Sequence, residues 1–469
     1  MKQYDQLYIN GKWRASDGTQ WVEGTNPATL EPIGKMVCAT PEEIDEAVSA
    51  AHKAFPEWNA RPLEERAAFL AAIADGIERH QEELAKLIVE ELGAPITFAR
   101  GVQVGGSIRE IRATLEELPR FFFKEELENV TVLKEGFGVV ACITPWNYPL
   151  NQIQRKITPA FLAGNTVVVK PASLTPRTAL ALAQIIHETK LPEGVFNLIL
   201  GSGAETGKAL AAHPKVRLIS FTGSTKAGQS LYAQAALGIK KLILELGGKS
   251  ALILLPEGEE TQAVSRCMET ILNNSGQSCS ALTRLLVPRE KRQAVEALLL
   301  DYVQRVGLMG DPLDPATKLG PVVSKDQYER VLNYIEKGKG EGARVLTGGT
   351  PRQGAGYFIP TTIFSDVTPQ MTIAQEEIFG PVLCVMAYDT VEEAIEWAND
   401  TPYGLSGAVV GPEEEAYKVA LRLRTGNVYL NAGKANPKAP FGGYHQSGLG
   451  REMGLYGLED YLEIKAILK

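Results

Sequence analysis

From residue 138 onward, short apolar runs alternate with segments of helical spacing. The runs lie at 139–143, 166–169, 195–200, 216–221 and 241–246, and they are rich in Val, Ile and Leu. Segments of helix-like composition separate them, as at 176–188. Apolar runs interleaved with helices predict parallel strands, buried on both faces and joined by helical crossovers. A second series follows at 251–255, 285–287, 382–387, 405–410 and 427–430, again with helical segments between. Two α/β units are expected. Ligands on such sheets settle at the carboxyl ends of strands, so the loops after the runs are where chemistry is sought.

The first third reads mostly helical. Thr40-Pro41-Glu42-Glu43 offers an N-cap hydroxyl, a proline at the first helical position and a carboxylate two residues after it. Ile44, Val48, Ala51 and Phe55 then recur at spacings of four, three and four, which places them on one helix face. A longer helical pattern runs from about Glu64 to Leu92, with Gly93 placed to end it. Residues 121–134 and the tail from Leu458 fit neither texture and are read as an accessory strand pair.

Composition narrows the class. Of 469 residues, 44% are apolar and 22% charged, which excludes a disordered or collagen-like chain. The net charge of −8 carries no basic block, so neither a nucleic-acid partner nor an anionic membrane is expected. No stretch reaches the roughly 18 apolar residues of a membrane span. The start of the chain lacks a signal-peptide pattern. Cys38, Cys142, Cys267, Cys279 and Cys384 are scattered, which predicts reduced thiols, no metal site and a cytoplasmic protein.

Several short segments carry candidate chemistry. Gly201 to Gly207 follows a strand, but its last glycine is one residue late for a dinucleotide fingerprint. Gly248-Lys249-Ser250 ends like a phosphate-binding loop, yet Ile243 stands where its first glycine is required. Phe221-Thr222-Gly223-Ser224-Thr225 ends a strand and opens a helical pattern, which suits an anion or serves as a plain cap. Cys279 sits among small polar residues in Gly276-Gln277-Ser278-Cys279-Ser280, as an accessible thiolate would, although most lone cysteines are core residues. Glu245 ends a strand beside Gly247-Gly248, placed as a base or as a cap. Asn147, in Pro145-Trp146-Asn147-Tyr148-Pro149, can donate to an oxyanion or hold a turn.

In order along the chain these segments stand with Lys170-Pro171-Ala172, Glu376-Glu377-Ile378-Phe379-Gly380-Pro381 and Pro440-Phe441-Gly442-Gly443. The ordered set resembles the NAD(P)-dependent aldehyde dehydrogenase superfamily over essentially the whole chain. The resemblance implies that Cys279 is the nucleophile, Glu245 the general base and Asn147 the oxyanion donor. It places Lys170 and Ser173 near the adenosine ribose, Gly223 and Ser224 at the phosphates, and Glu377 and Phe379 at the nicotinamide riboside. Trp146, Gly203 and Leu246 are expected beside the cofactor as well.

The fold so implied has two doubly wound α/β domains and a small β oligomerisation element. The cofactor-binding domain is expected over 1–120 and 135–248, the catalytic domain over 249–448, and the oligomerisation element over 121–134 and 449–469, in a homodimer or homotetramer. The retained Glu245 implies hydrolysis of a thioester to the carboxylic acid and not transfer to coenzyme A. Ser173 is neutral where many NAD-preferring members carry Glu, so NADP is expected to be accepted, alone or alongside NAD.

Arg155 and Phe441 are the expected substrate contacts. A guanidinium holds a carboxylate through two parallel hydrogen bonds, which points to a semialdehyde or another polar aldehyde. Arg155 could instead pair with a nearby acid. Asn273 stands where succinate-semialdehyde enzymes can carry a second arginine. Two other classes remain to be weighed. One is a catalytically silent homologue acting as a structural or binding protein, and the other is a nucleotide hydrolase, which the missing upstream glycine disfavours.

Overall fold

The computed structural model describes residues 2–469. Five of the apolar runs form a parallel array in the spatial order Lys241–Glu245, Val216–Thr222, Val139–Ile143, Thr166–Lys170, Phe196–Leu198. Alternate side chains of each strand enter different cores. Val140, Val167 and Val169 pack on one face, and Val139, Ala141 and Val168 on the other. That two-sided burial is why these runs lack polar alternation.

The chain winds from Val139–Ile143 to Phe196–Leu198 in one direction, then returns to Val216–Thr222 on the opposite side. The switch point therefore lies between Val139–Ile143 and Val216–Thr222, where a crevice opens at the carboxyl ends. The second series forms a seven-stranded sheet, parallel except for Arg344–Thr347 at one edge. A third sheet joins Lys124–Leu127, Val130–Gly136 and Leu462–Leu468, all antiparallel. The accessory pair is thus a hairpin plus the C-terminal strand. Six of the seven residues of that strand are exposed, and one of its edges is unpaired.

The predicted cap is present. Thr40 Oγ1 accepts from the Glu43 N–H at 3.3 Å, and Glu43 Oε2 accepts from the Thr40 N–H at 2.9 Å, opening helix Pro41–Ala60. Three expectations are corrected. The N-terminal segment is not helical before Pro41 but holds five short strands, of which Gln6–Ile9 and Lys12–Ala15 extend the eight-stranded sheet. At two to six residues each, these strands are too short to show a period-two signal. The pattern from Glu64 to Leu92 is two helices, Leu63–Arg79 and Gln81–Leu92, broken at His80 (φ −99°, ψ 17°). Gly448–Leu449 pairs with Lys241–Glu245, so Leu449 belongs to the large sheet and not to the small one. No helix among the described residues is long and apolar enough to cross a membrane.

Candidate active site

The two large sheets meet across one cleft. The first contributes loops at the carboxyl ends of its strands, carrying Trp146, Asn147, Gly223 and Ser224. The second contributes segments that precede strands: Cys279 comes before Leu282–Pro288, and Glu377 and Phe379 before Val382–Tyr388. The carboxyl-end rule therefore locates half of the site, and the other half lies at amino ends. Leu246 and Gly247 line the cleft where the chain passes from one sheet to the other.

Cys279 is half-buried on the cleft wall. Its loop rests on backbone contacts that leave no room for side chains. A Cβ on Gly248 would overlap the Cys279 carbonyl oxygen, and one on Gly276 (φ +72°) would overlap the Gly380 carbonyl. Three separated motifs thus lock together at the nucleophile. The buried Asn147 side chain donates from Nδ2 to the Gln277 carbonyl at 3.1 Å, two residues before Cys279. Burial pushes the Cys279 thiol up to about 12, with Glu377 and Glu245 adding to the shift and Arg155 opposing it. The resting group is a thiol, and a base or a nearby positive charge must supply the thiolate.

Glu245 ends strand Lys241–Glu245 with its carboxylate buried, and neither oxygen has a hydrogen-bond partner. It does not line the cleft but turns inward. A Cβ on Gly442 (φ +150°) would stand 2.6 Å from Oε1, so only glycine fits there. Burial, then the charge of Glu452, holds Glu245 well above the ordinary carboxylate range, while Lys156, Arg155 and Arg451 pull it down. Lys156 Nζ donates to Glu452 Oε1 at 2.6 Å and to Thr222 Oγ1 at 2.8 Å, fully buried. Sequence reasoning missed Lys156 and Glu452. Each is a single charge in an ordinary context, and only the fold brings the two segments together.

Beside the same Gly248, Glu377 Oε1 accepts from the Gly248 N–H at 3.0 Å, and a Cβ on Gly247 would stand 2.5 Å from Oε2. Burial raises Glu377 to about 7. Trp146 and Phe379 meet edge to face with ring centroids 5.4 Å apart. Ser224 Oγ caps helix Thr225–Ala236 by accepting from the Ala227 N–H, so this hydroxyl is engaged with the helix in addition to facing the cleft. Lys170 Nζ donates to the carbonyls of Pro171 at 2.8 Å and Gly201 at 3.3 Å, and burial lowers it to about 8. Ser173 is half-buried in the following loop. Gly203 opens the turn Gly203–Gly207, exposed and outside the residues lining the cleft.

Arg155 does not stand free. Its Nε and Nη2 engage Glu110 at 2.9 and 2.6 Å, while Asn151 and Gln154 also donate to Glu110 Oε2. The expected carboxylate partner is supplied by the chain itself, on helix Gly105–Glu117, and the guanidinium lies 5.1 Å from the centre of the Phe441 ring. Phe441 and Arg155 touch each other, neither is among the residues lining the cleft, and the fork that was to bind a substrate acid is occupied. Glu110 gave no sequence signal, since it reads as one more exposed helix charge.

The Aldehyde dehydrogenase family profile matches residues 13–467. This chain belongs to that family. A 3-succinoylsemialdehyde-pyridine dehydrogenase of Pseudomonas sp is 45% identical over 100% of this chain and 99% of its own. Aldehyde dehydrogenase C of Pseudomonas syringae, solved as a cysteine-to-alanine mutant with NAD+ and octanal, superposes with a TM-score of 0.97 at 44% identity, covering 99% of this chain and 96% of that one. The Mycobacterium tuberculosis aldehyde dehydrogenase solved with NAD+ gives 0.97 at 39%, covering 100% and 98%. The fold is that of the aldehyde dehydrogenases, and the chain is an aldehyde dehydrogenase by family.

Proposed function

We propose that this chain oxidises an aldehyde to the carboxylic acid with NAD+ or NADP+ through covalent intermediates on Cys279. The observation that carries the reading is the meeting of Cys279 and Asn147 in a cleft at the switch point that Glu377 also lines. The cleft suits a dinucleotide. Trp146, Leu246 and Phe379 give apolar walls, Glu377 offers a carboxylate for a ribose hydroxyl, and Gly247 leaves the space beside it clear. When bound there, the dinucleotide supplies the acceptor for the hydride leaving the aldehyde carbon.

The chain's own residues supply the remaining chemistry. Cys279 Sγ forms a bond to the aldehyde carbon as the carbonyl electron pair moves to oxygen, and the thiol proton passes to a base. The Asn147 amide has a second hydrogen beyond the one given to Gln277, and that hydrogen serves the oxyanion. One such donor contributes ~3–4 kcal/mol in the transition state. After hydride loss a thioester remains on Cys279. Glu245, rotated from its buried position, takes a proton from water as the oxygen attacks, the C–S bond breaks and the acid departs. The charges of Glu452 and Lys156 act on Glu245 in opposite senses, Glu452 favouring its protonated form and Lys156 its carboxylate.

With Ser173 neutral and Lys170 cationic at the adenosine end, NADP+ is accepted. With Arg155 already neutralised by Glu110, an uncharged aldehyde suits the site better than an acid-bearing one. A panel of aldehydes assayed with both dinucleotides tests the reading. The expected result is reduced cofactor formed with neutral aldehydes and with either dinucleotide. Strict NAD dependence would contradict the role given to Ser173, and silence towards every aldehyde would contradict the activity itself.

A further inference from the structure

We propose that Gln103, distant along the chain from the motifs that carry the chemistry, is a positioning residue for Asn147 and the Cys279 loop. This rests on the function proposed above. Gln103 lies in a π-helical turn, Ala99–Val104, inserted between the helices Ile96–Phe98 and Gly105–Glu117. Such a turn adds one residue to the helix and redirects a side chain, and it is disfavoured unless its surroundings hold it. Here Gln81 Nε2 donates to the Arg100 carbonyl at 3.1 Å, and Ser107 Oγ to the Gln103 carbonyl at 2.7 Å.

The redirected side chain is fully buried. Its Nε2 donates to the Asn147 carbonyl at 3.2 Å and to Asn274 Oδ1 at 3.4 Å. Asn274 Nδ2 donates to the same Asn147 carbonyl at 2.9 Å and to the Gln277 carbonyl at 3.1 Å, and Asn147 Nδ2 donates to that Gln277 carbonyl. Three side-chain amides from three segments thus close a ring around the oxyanion donor and the approach to the nucleophile. The ring also holds a costly backbone. Asn274 (φ +52°) and Ser275 (φ +55°) are consecutive non-glycine residues in the left-handed region, which persists only where neighbours over-determine it.

Packing alone does not explain the residue. Gln103 Oε1 is buried with no partner, a cost that a methionine of similar length would avoid. What glutamine adds is the pair of donated hydrogen bonds. Small misplacements of reacting groups cost large factors in rate, so loss of those bonds falls on formation of the Cys279 adduct and not on cofactor binding.

Stopped-flow measurement of the first turnover tests this. In Gln103→Met the burst of reduced cofactor should slow roughly tenfold or more, with the cofactor Kd and the Tm close to those of the parent. In Gln103→Glu a protonated acid can still donate one hydrogen bond, so its burst rate as a fraction of the parent's should be highest at low pH and fall as pH rises. That profile decides the matter if Gln103→Met does not fold. A parental burst in Gln103→Met, or a Gln103→Glu burst that follows the parental pH profile, would overturn the inference while leaving the aldehyde dehydrogenase reading intact. Absence of turnover in the parent would overturn that reading instead.

Discussion

At Arg155 a charge that invites a substrate acid is taken by Glu110, and the pairing makes a prediction that separates the two roles. Arg155→Ala should raise KM for an acid-bearing and a neutral aldehyde of similar length by about the same factor, since the guanidinium supports Glu110, Asn151 and Gln154 together. Glu110→Gln should release the fork and lower KM for the acid-bearing aldehyde by roughly tenfold relative to the neutral one, one charge-assisted pair being worth about 1.5–3 kcal/mol. Steady-state kinetics on a matched aldehyde pair reads both. Titration belongs at this scale too. Cys279 and Glu245 are both held above their ordinary values by burial, and both act in the deprotonated form. Protons must be lost before either works, so log kcat/KM should climb with pH through neutrality into the alkaline range. A profile that falls steadily from neutral to alkaline pH would contradict these environments.

Among the elements, the glycines of the crossing segment between the sheets are the most exacting. Gly248→Ala places a methyl against the Cys279 carbonyl. It should lower kcat roughly tenfold or more while the far-UV circular dichroism is unchanged, because the displaced loop carries the nucleophile and not a sheet. Thr40→Ala, by contrast, removes one half of a capping box remote from the cleft, and should cost ~1 kcal/mol of stability with kcat unaltered. These two elements also show what a sequence reveals. The Thr40 cap and the parallel strands were legible because both signals are local: a four-residue motif, and runs buried on both faces. The N-terminal strands were not, since runs of two to six residues are too short to show an alternation. Among site residues, those in short glycine-bearing motifs were legible because backbone contact forces the glycines. Lys156, Glu452, Glu110 and Gln103 were not, because each is defined only by a partner distant in the chain, as Lys156 is by Glu452.

For the whole molecule, the arrangement is one sheet offering carboxyl ends to the amino ends of another, with the third sheet tied to the first. Tyr461 Oη donates to Ser220 Oγ at 2.8 Å, so the C-terminal strand Leu462–Leu468 is anchored to the first sheet just before it emerges into solvent. Ile464 and Leu468 are 73% and 78% exposed beside an unpaired edge, which is the surface a second copy would cover. We propose that a second copy of the chain covers this edge, so Ile464→Lys combined with Leu468→Lys should lower the mass measured by light scattering relative to the parent. A parental mass in that variant would remove the strand from the interface. The central claim concerns chemistry, and the most direct measurement of it is the pre-steady-state yield of reduced cofactor per site in Glu245→Gln and Cys279→Ala. The account predicts a burst approaching one equivalent followed by slow turnover in Glu245→Gln, because the thioester forms but water is not activated, and no product at all in Cys279→Ala. Full turnover by Cys279→Ala, or an undiminished steady-state rate in Glu245→Gln, would contradict it.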